Sequence, residues 1–157
     1  MLFGKIDKKD FLIPPFVLFY FYQVFSGAFN LPTVSTHQFF SSEIVGWSGV
    51  LLCLIGLILF FLSIKSFGPS FRVGIDTEHP DQLITSGVFA ISRNPIYVGF
   101  WIVLLGQFLV FPNWILLIYL GAATLLFHRQ TLLEEEFMLE YYGQEYLDYC
   151  DRVKRYL

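Results

Sequence analysis

At 157 residues the chain is long enough for one domain, yet 55% of it is hydrophobic, 20% aromatic and only 15% charged, where soluble domains carry roughly a quarter charged residues. Nineteen Phe, nine Tyr and a mean hydropathy of +0.60 exceed what a small soluble core can hide; they exclude a disordered tail, a collagen-like repeat and a disulfide scaffold and point to an integral membrane protein. A formal net charge of −3 gives no basic field for nucleic acid, and two cysteines, Cys53 in an apolar run and Cys150 in a charged one, make no disulfide framework.

Between Phe11 and Ile64 the only formal charge is Glu43, and between Pro95 and Phe127 there is none. A membrane-crossing helix needs roughly 20 apolar residues for about 30 Å of hydrocarbon. Residues 11–31 fit a first span, with Pro14-Pro15 in its first turn, where a missing N–H costs little. No small-residue cleavage site follows, so this segment does not read as a cleaved signal peptide. Residues 44–64 fit a second span, flanked or capped by Glu43, and Gly46, Gly49 and Gly56 suit close helix packing.

The next apolar stretch, 95–127, would run about 50 Å as one straight helix, too long for a bilayer. Pro112-Asn113 at its middle is a turn signal, so we expect a helical hairpin, 95–111 and 114–127. Trp47, Trp101 and Trp114 read as interface or packing aromatics. The fold class expected is all-α: a polytopic membrane protein with about four transmembrane helices, the last two as a hairpin, and a cytoplasmic C-terminal helix. No linker divides the chain, so 1–157 is expected to be one membrane domain.

All ten Lys and Arg fall in three blocks: Lys5, Lys8 and Lys9; Lys65, Arg72 and Arg93; Arg129, Arg152, Lys154 and Arg155. With four crossings the three blocks share one side, which the positive-inside rule places in the cytoplasm with both termini. Short loops and no eukaryotic-type retention signal point to a prokaryotic inner membrane.

Two polar segments lie at the membrane edge. In the run from Asp81 to Gly99, Thr85-Ser86-Gly87 is a turn that exposes backbone N–H groups. Arg93-Asn94-Pro95 sets a cation at a helix N-terminus, which suits an anion such as a carboxylate. Arg93 snorkelling to lipid headgroups is an equal alternative. In the second segment, Glu134-Glu135-Glu136 extends the last apolar helix; the three point roughly 100° apart, so at most two share a face. One facing inward receives a cationic or hydroxyl-bearing ligand, whereas a solvated acidic surface is the plainer alternative.

The run 83–89 (Leu83, Ile84, Thr85, Ser86, Gly87, Val88, Phe89), then Arg93-Asn94-Pro95-Ile96-Tyr97-Val98-Gly99, a hairpin, Glu134-Glu135-Glu136 and Tyr142-Gly143-Gln144-Glu145-Tyr146 resembles the isoprenylcysteine carboxyl methyltransferase family and the related phospholipid N-methyltransferases. The resemblance covers about residues 68–155. It implies an integral membrane methyltransferase using S-adenosylmethionine in a pocket of the C-terminal half, with 1–67 as a two-helix scaffold and 68–157 as the catalytic half. No G-x-G-x-x-G after a strand argues for a different cofactor fold.

Carried across, Leu83, Gly87, Arg93, Asn94, Pro95, Tyr97, Glu134 and Glu135 line the cofactor pocket, with Arg93, Tyr97 and Glu135 as the catalytic set. Arg93 would pair with a carboxylate of cofactor or substrate, a glutamate would hold amino or ribose groups, and Tyr97 would offer a face to the adenine or sulfonium. The family often has His where this chain has Asn94 and Asp81. Asn94 cannot titrate near neutral pH, and Asp81 puts an anion near the pocket.

The expected partners are the lipid bilayer and a lipophilic or small methyl acceptor (a carboxylate, amine or thiol), with no nucleic acid. His37, His79 and His128 share no ligand spacing, so no metal is expected. Two other readings remain: an NADPH-dependent membrane reductase of the sterol reductase plan, which would want more clustered Arg and Lys, and a non-enzymatic membrane scaffold.

Overall fold

The computed structural model describes residues 13–26, 29, 31–32, 37–67 and 83–157. Asp81, Arg72, His79 and the first lysines lie outside the described residues. The described residues form helices and no strand: α1 (Ile13–Ser26), α2 (Glu43–Phe67), a single 3-10 turn (Gly87–Ala90), α3 (Pro95–Val110), α4 (Trp114–Tyr142) and α5 (Gln144–Arg152).

α1 is 14 residues long, shorter than the span expected over 11–31. It stops where the chain turns, with the Phe29 amide donating to the Phe25 carbonyl and the Leu31 amide to that of Ser26, so the last carbonyls are satisfied without another helical turn. α2 has 25 residues, about 37 Å at about 1.5 Å per residue. Glu43 lies in its first turn and Lys65 in its last, each sign matched to the helix dipole. α2 and α4 are long and apolar enough to cross a membrane, and α3 is a shorter apolar helix of 16 residues.

The hairpin forms where Pro112-Asn113 marks it. Asn113 is the N-cap of α4: its side chain accepts the Leu116 amide at 3.0 Å, while its amide group donates to the Phe111 carbonyl. The turn is therefore closed by the Asn side chain as well as by the Pro. α4 then runs unbroken for 29 residues, so the glutamate run continues the apolar helix. Gly143, at a φ of +52°, ends it in a conformation that favours glycine.

α2 and α3 pack backbone to backbone. A Cβ at Gly49 would lie 2.6 Å from the Gly106 carbonyl oxygen, and one at Gly56 would lie 2.7 Å from that of Gly99. Two glycine pairs seven residues apart on each helix thus set the contact. Gly46, grouped with them from the sequence, meets nothing within 4 Å and takes no part. The far face of α2 is bare: Ile44 is 83% exposed, Trp47 68% and Phe61 65%. An apolar helix left this exposed is at home in lipid rather than water.

The two ends of the molecule differ in kind. At one, the loop before α2 meets the hairpin tip: the Phe39 amide donates to the Pro112 carbonyl at 2.8 Å, and the Phe39 ring packs edge-on against Trp114. At the other, the 3-10 turn is wedged between α2 and α5. The Phe89 ring meets Phe67 at 4.8 Å, and the Tyr149 hydroxyl donates to the Phe89 carbonyl at 2.6 Å.

Candidate functional site

The polar end is assembled from the 92–97 turn, the second half of α4 and residues 153–157 after α5. Pro95 is fully buried at the start of α3, where its fixed φ suits the first helical turn. The Arg93 Nη2 donates to Glu135 Oε1 at 2.9 Å, and Arg155 grips the other oxygen, Oε2, through Nε at 2.9 Å and Nη2 at 2.7 Å. One carboxylate thus sits between two guanidiniums. Arg93 is 10% exposed and Arg155 38%, so the first contact is sheltered and the second open to solvent. The hydrogen bond to Glu135 holds the Arg155 pKa above its usual value.

Glu134 has a separate set of partners. The Tyr97 hydroxyl donates to its Oε1 at 2.6 Å and Gln130 Nε2 to the same oxygen at 2.9 Å. Glu136 is exposed, so two of the three glutamates face the protein, as helical spacing allows. The Asn94 side chain is buried and donates to the Arg155 carbonyl at 3.1 Å, while its amide donates to Ser92 Oγ.

Of the residues singled out in the sequence, Arg93, Asn94, Pro95, Tyr97, Glu134 and Glu135 therefore come together. Leu83 and Gly87 do different work. Leu83 packs on the cluster of Tyr146, Tyr149 and Val153. Gly87 has a φ of +64°, and a Cβ there would meet Ser66 Oγ at 2.5 Å, so glycine is required by both conformation and space.

The sequence reading gave no site role to Arg155 or to the two tyrosines of α5, although Tyr146 stands in the run that carries the resemblance. Tyr146 and Tyr149 recur at i and i+3 with Val153 completing the stripe, a helical face that periodicity reveals. Burial pushes the Tyr149 phenol up to about 12; burial, with the Glu135 carboxylate nearby, raises that of Tyr146 as well. Arg155 has no local signal: its partner is 20 residues away across the turn between two helices.

Beside the polar cluster lies a cavity of about 340 Å³ between α3 and α4, walled by Val98, Trp101, Ile102, Phe127 and Leu157, with Tyr97, Thr124, His128 and Tyr156 adding polar atoms. Its volume is at the lower end of small-molecule sites, about 300–1,000 Å³. Most of those polar atoms are already engaged: Trp101 Nε1 donates to Thr124 Oγ1, and His128 Nδ1 and the Tyr156 hydroxyl are 2.8 Å apart. Tyr97 joins cavity and cluster, its ring in the wall and its hydroxyl on Glu134. Among the described residues, the buried side-chain atoms Arg93 Nε and Thr131 Oγ1 have no hydrogen-bond partner.

The chain is similar to known proteins over much of its length. Protein-S-isoprenylcysteine O-methyltransferase of Tribolium castaneum is 30% identical over 108 residues, 67% of this chain and 38% of that protein. The Rattus norvegicus protein of the same name is 32% identical over 109 residues, 68% of this chain and again 38% of the relative. The Dictyostelium discoideum one is 25% identical over 95% of this chain and 64% of its own length. The chain thus spans about two fifths of the animal relatives. A solved structure of isoprenylcysteine carboxyl methyltransferase, the eukaryotic intramembrane Ras methyltransferase, matches with a TM-score of 0.67 at 24% identity, over 95% of this chain and 52% of that one, and so shares the fold. The family model described as phospholipid methyltransferase matches residues 44–145, from α2 through both glutamates to the start of α5, and the chain belongs to that family.

Proposed function

We propose that the chain is an integral membrane methyltransferase that takes its methyl group from S-adenosylmethionine and gives it to a lipophilic or small acceptor bearing a carboxylate, amine or thiol. The observation that carries this reading is the meeting of Arg93, Tyr97, Glu134 and Glu135 beside an apolar cavity in a member of a methyltransferase family. Neither a reductase nor a scaffold is favoured by any relative found.

The residues present fit the cofactor. Arg93 has one buried N–H, at Nε, with no partner, and such a donor is satisfied by an anionic group such as the carboxylate of a methionine end. Glu135 fixes the guanidinium that would bind it. Glu134 retains lone pairs for an amino or ribose hydroxyl group. When bound, S-adenosylmethionine would supply a methyl group on a sulfonium sulfur, its carbon activated for in-line displacement with the neutral thioether as leaving group. The protein's task is then to position and to exclude water. Tyr97 serves both ends: Glu134 fixes its hydroxyl, and its ring presents a π face to a cation. The apolar walls between α3 and α4 keep water from the acceptor, which enters sideways from lipid.

On this reading the chain is one membrane domain of about four crossings, 1–67 acting as scaffold and 68–157 as the catalytic half, with α5 and both termini cytoplasmic. The distribution of basic residues supports that sidedness. The relatives named above are eukaryotic, so the prokaryotic inner membrane expected from the sequence gains nothing from them.

Calorimetry on detergent-purified protein tests the proposal, with S-adenosylmethionine and NADPH titrated in parallel. Micromolar-range binding of the methyl donor, weakened at least tenfold by Arg93→Ala, is expected, since an ionic hydrogen bond is worth about 1.5–3 kcal/mol. Binding of NADPH alone would assign the chain to the reductases, and binding of neither would make it a scaffold.

A further inference from the structure

Residues 153–157 are not a free end of α5. The Arg93 amide donates to the Lys154 carbonyl at 3.0 Å, and the Asn94 side chain and Ser92 hydroxyl both donate to the Arg155 carbonyl, at 3.1 and 3.4 Å. The Arg155 guanidinium closes on Glu135, and beyond it Tyr156 and Leu157 enter the cavity wall, Tyr156 paired with His128. One short strap thus touches the turn that carries Arg93, the carboxylate that holds Arg93 and the apolar cavity. Its last residues lie outside the stretch that the family model matches.

We propose that Arg155 is a positioning residue of this site: by clamping Glu135 from the solvent side it sets the carboxylate against Arg93, and it seats the strap that lines the cavity.

The charge balance favours this over a purely structural link. Arg93 and Glu135 alone are a neutral pair. Glu134 beside them leaves the cluster one charge negative, and Arg155 brings it to neutrality, which removes a net repulsion from an anionic ligand at the unpartnered Arg93 Nε. Glu135 uses one lone pair on Oε1 for Arg93 and is held on Oε2 by a two-pronged contact, a geometry that guanidinium provides and ammonium does not. The contact is partly exposed, so salt screens it more than the sheltered Arg93–Glu135 bond.

The inference rests on the cofactor reading above, and the test separates the two. The full chain, wild type and with Arg155→Gln or Arg155→Lys, is placed in lipid nanodiscs. S-adenosylmethionine affinity is measured by calorimetry and exchange of the Arg93 amide by hydrogen–deuterium exchange. Arg155→Gln is expected to weaken affinity about tenfold, the scale of one charge-assisted contact, and to speed exchange of the Arg93 amide, which the strap's Lys154 carbonyl protects. Arg155→Lys recovers part of the affinity, and Glu135→Gln costs less in the Arg155→Gln background than in the wild type, because the two act as one unit.

Normal wild-type binding with affinity unmoved or tightened by Arg155→Gln would overturn the inference, even if the amide exchanged faster, since the strap would then be anchored without serving the site. Failure of the wild type to bind the methyl donor would overturn the functional reading itself and this inference with it.

Discussion

Tyr97 and Glu134 couple the polar cluster to the cavity through a single hydrogen bond of 2.6 Å. Tyr97→Phe keeps the ring in the cavity wall and removes only the hydroxyl, which leaves Glu134 with Gln130 as its remaining side-chain donor. A hydrogen bond to a charged acceptor is worth about 1.5–3 kcal/mol, so the affinity for the methyl donor should fall about tenfold or more while the fold survives. Equal affinity for the two proteins, measured by calorimetry, would mean that Glu134 does not need Tyr97 to do its work. Asn94 is a different matter. Its side chain is spent on the Arg155 carbonyl, so it serves as a brace for the strap. Asn94→Ala should therefore act as Arg155→Gln does, speeding exchange at the Arg93 amide.

At the scale of elements, two contacts decide the architecture. The first is α2 against α3, where glycine is needed for space: a Cβ at Gly106 would lie 2.6 Å from the Gly49 carbonyl and 2.7 Å from Cys53 Sγ. Gly106→Ala must push the backbones apart, an overpacking that costs about 1–3 kcal/mol. Gly46→Ala, in open space, should be neutral or gain up to about 1 kcal/mol from helix propensity. Thermal unfolding in detergent should therefore separate two chemically identical changes on the same pair of helices, and equal melting temperatures would dissolve the glycine contact. The second is α5 against the 3-10 turn, through Tyr149. Its phenol ionises at about 10 in the unfolded chain and at about 12 when buried and bonded to Phe89. The unfolded chain therefore loses this proton first. The Tyr149 contribution to stability is constant below pH 10 and falls as pH rises from 10 to 12, and Tyr149→Phe should lessen that alkaline slope at the cost of about 1 kcal/mol for the lost hydrogen bond. Periodicity and turn chemistry made these elements legible: Pro112-Asn113 marked the hairpin because both residues act through their own backbone and side chain. The Gly49–Gly106 pairing was half legible, because a glycine's need for space depends on the partner helix, and Gly46 looks the same in sequence.

For the whole molecule the question is how the helices sit in the bilayer, and the described structure constrains it. The Arg93–Glu135–Arg155 cluster gathers at one end, while the loop before α2 and the hairpin tip meet at the other through Phe39 and Pro112. Grouping Arg93 with the glutamates was legible because order and spacing along the chain carry it. The place of Arg155 was not, since it follows from how α5 turns back at Gly143, a rotation fixed by the burial of Tyr146 and Tyr149. If that axis is the membrane normal, the two ends face opposite aqueous compartments. α3, at 16 residues, spans about 24 Å at about 1.5 Å per residue, somewhat less than about 30 Å of hydrocarbon, so the tip is the decisive place to probe. Single cysteines at Ser41, Phe111 and Lys154 in a chain without Cys53 and Cys150 can be challenged with a membrane-impermeant maleimide from each side of sealed vesicles. Four crossings require position 154 to react from the cytoplasmic side, with 41 and 111 reacting together from the opposite one. Reaction of 41 without 111 from either side would leave the tip inside the hydrocarbon and make α3 and α4 a re-entrant hairpin. Reaction of all three from one side would remove α4 as a crossing helix, since α4 alone separates 111 from 154, against the bare apolar face formed by Trp114, Ile118 and Leu125, for which lipid is the solvent that costs least.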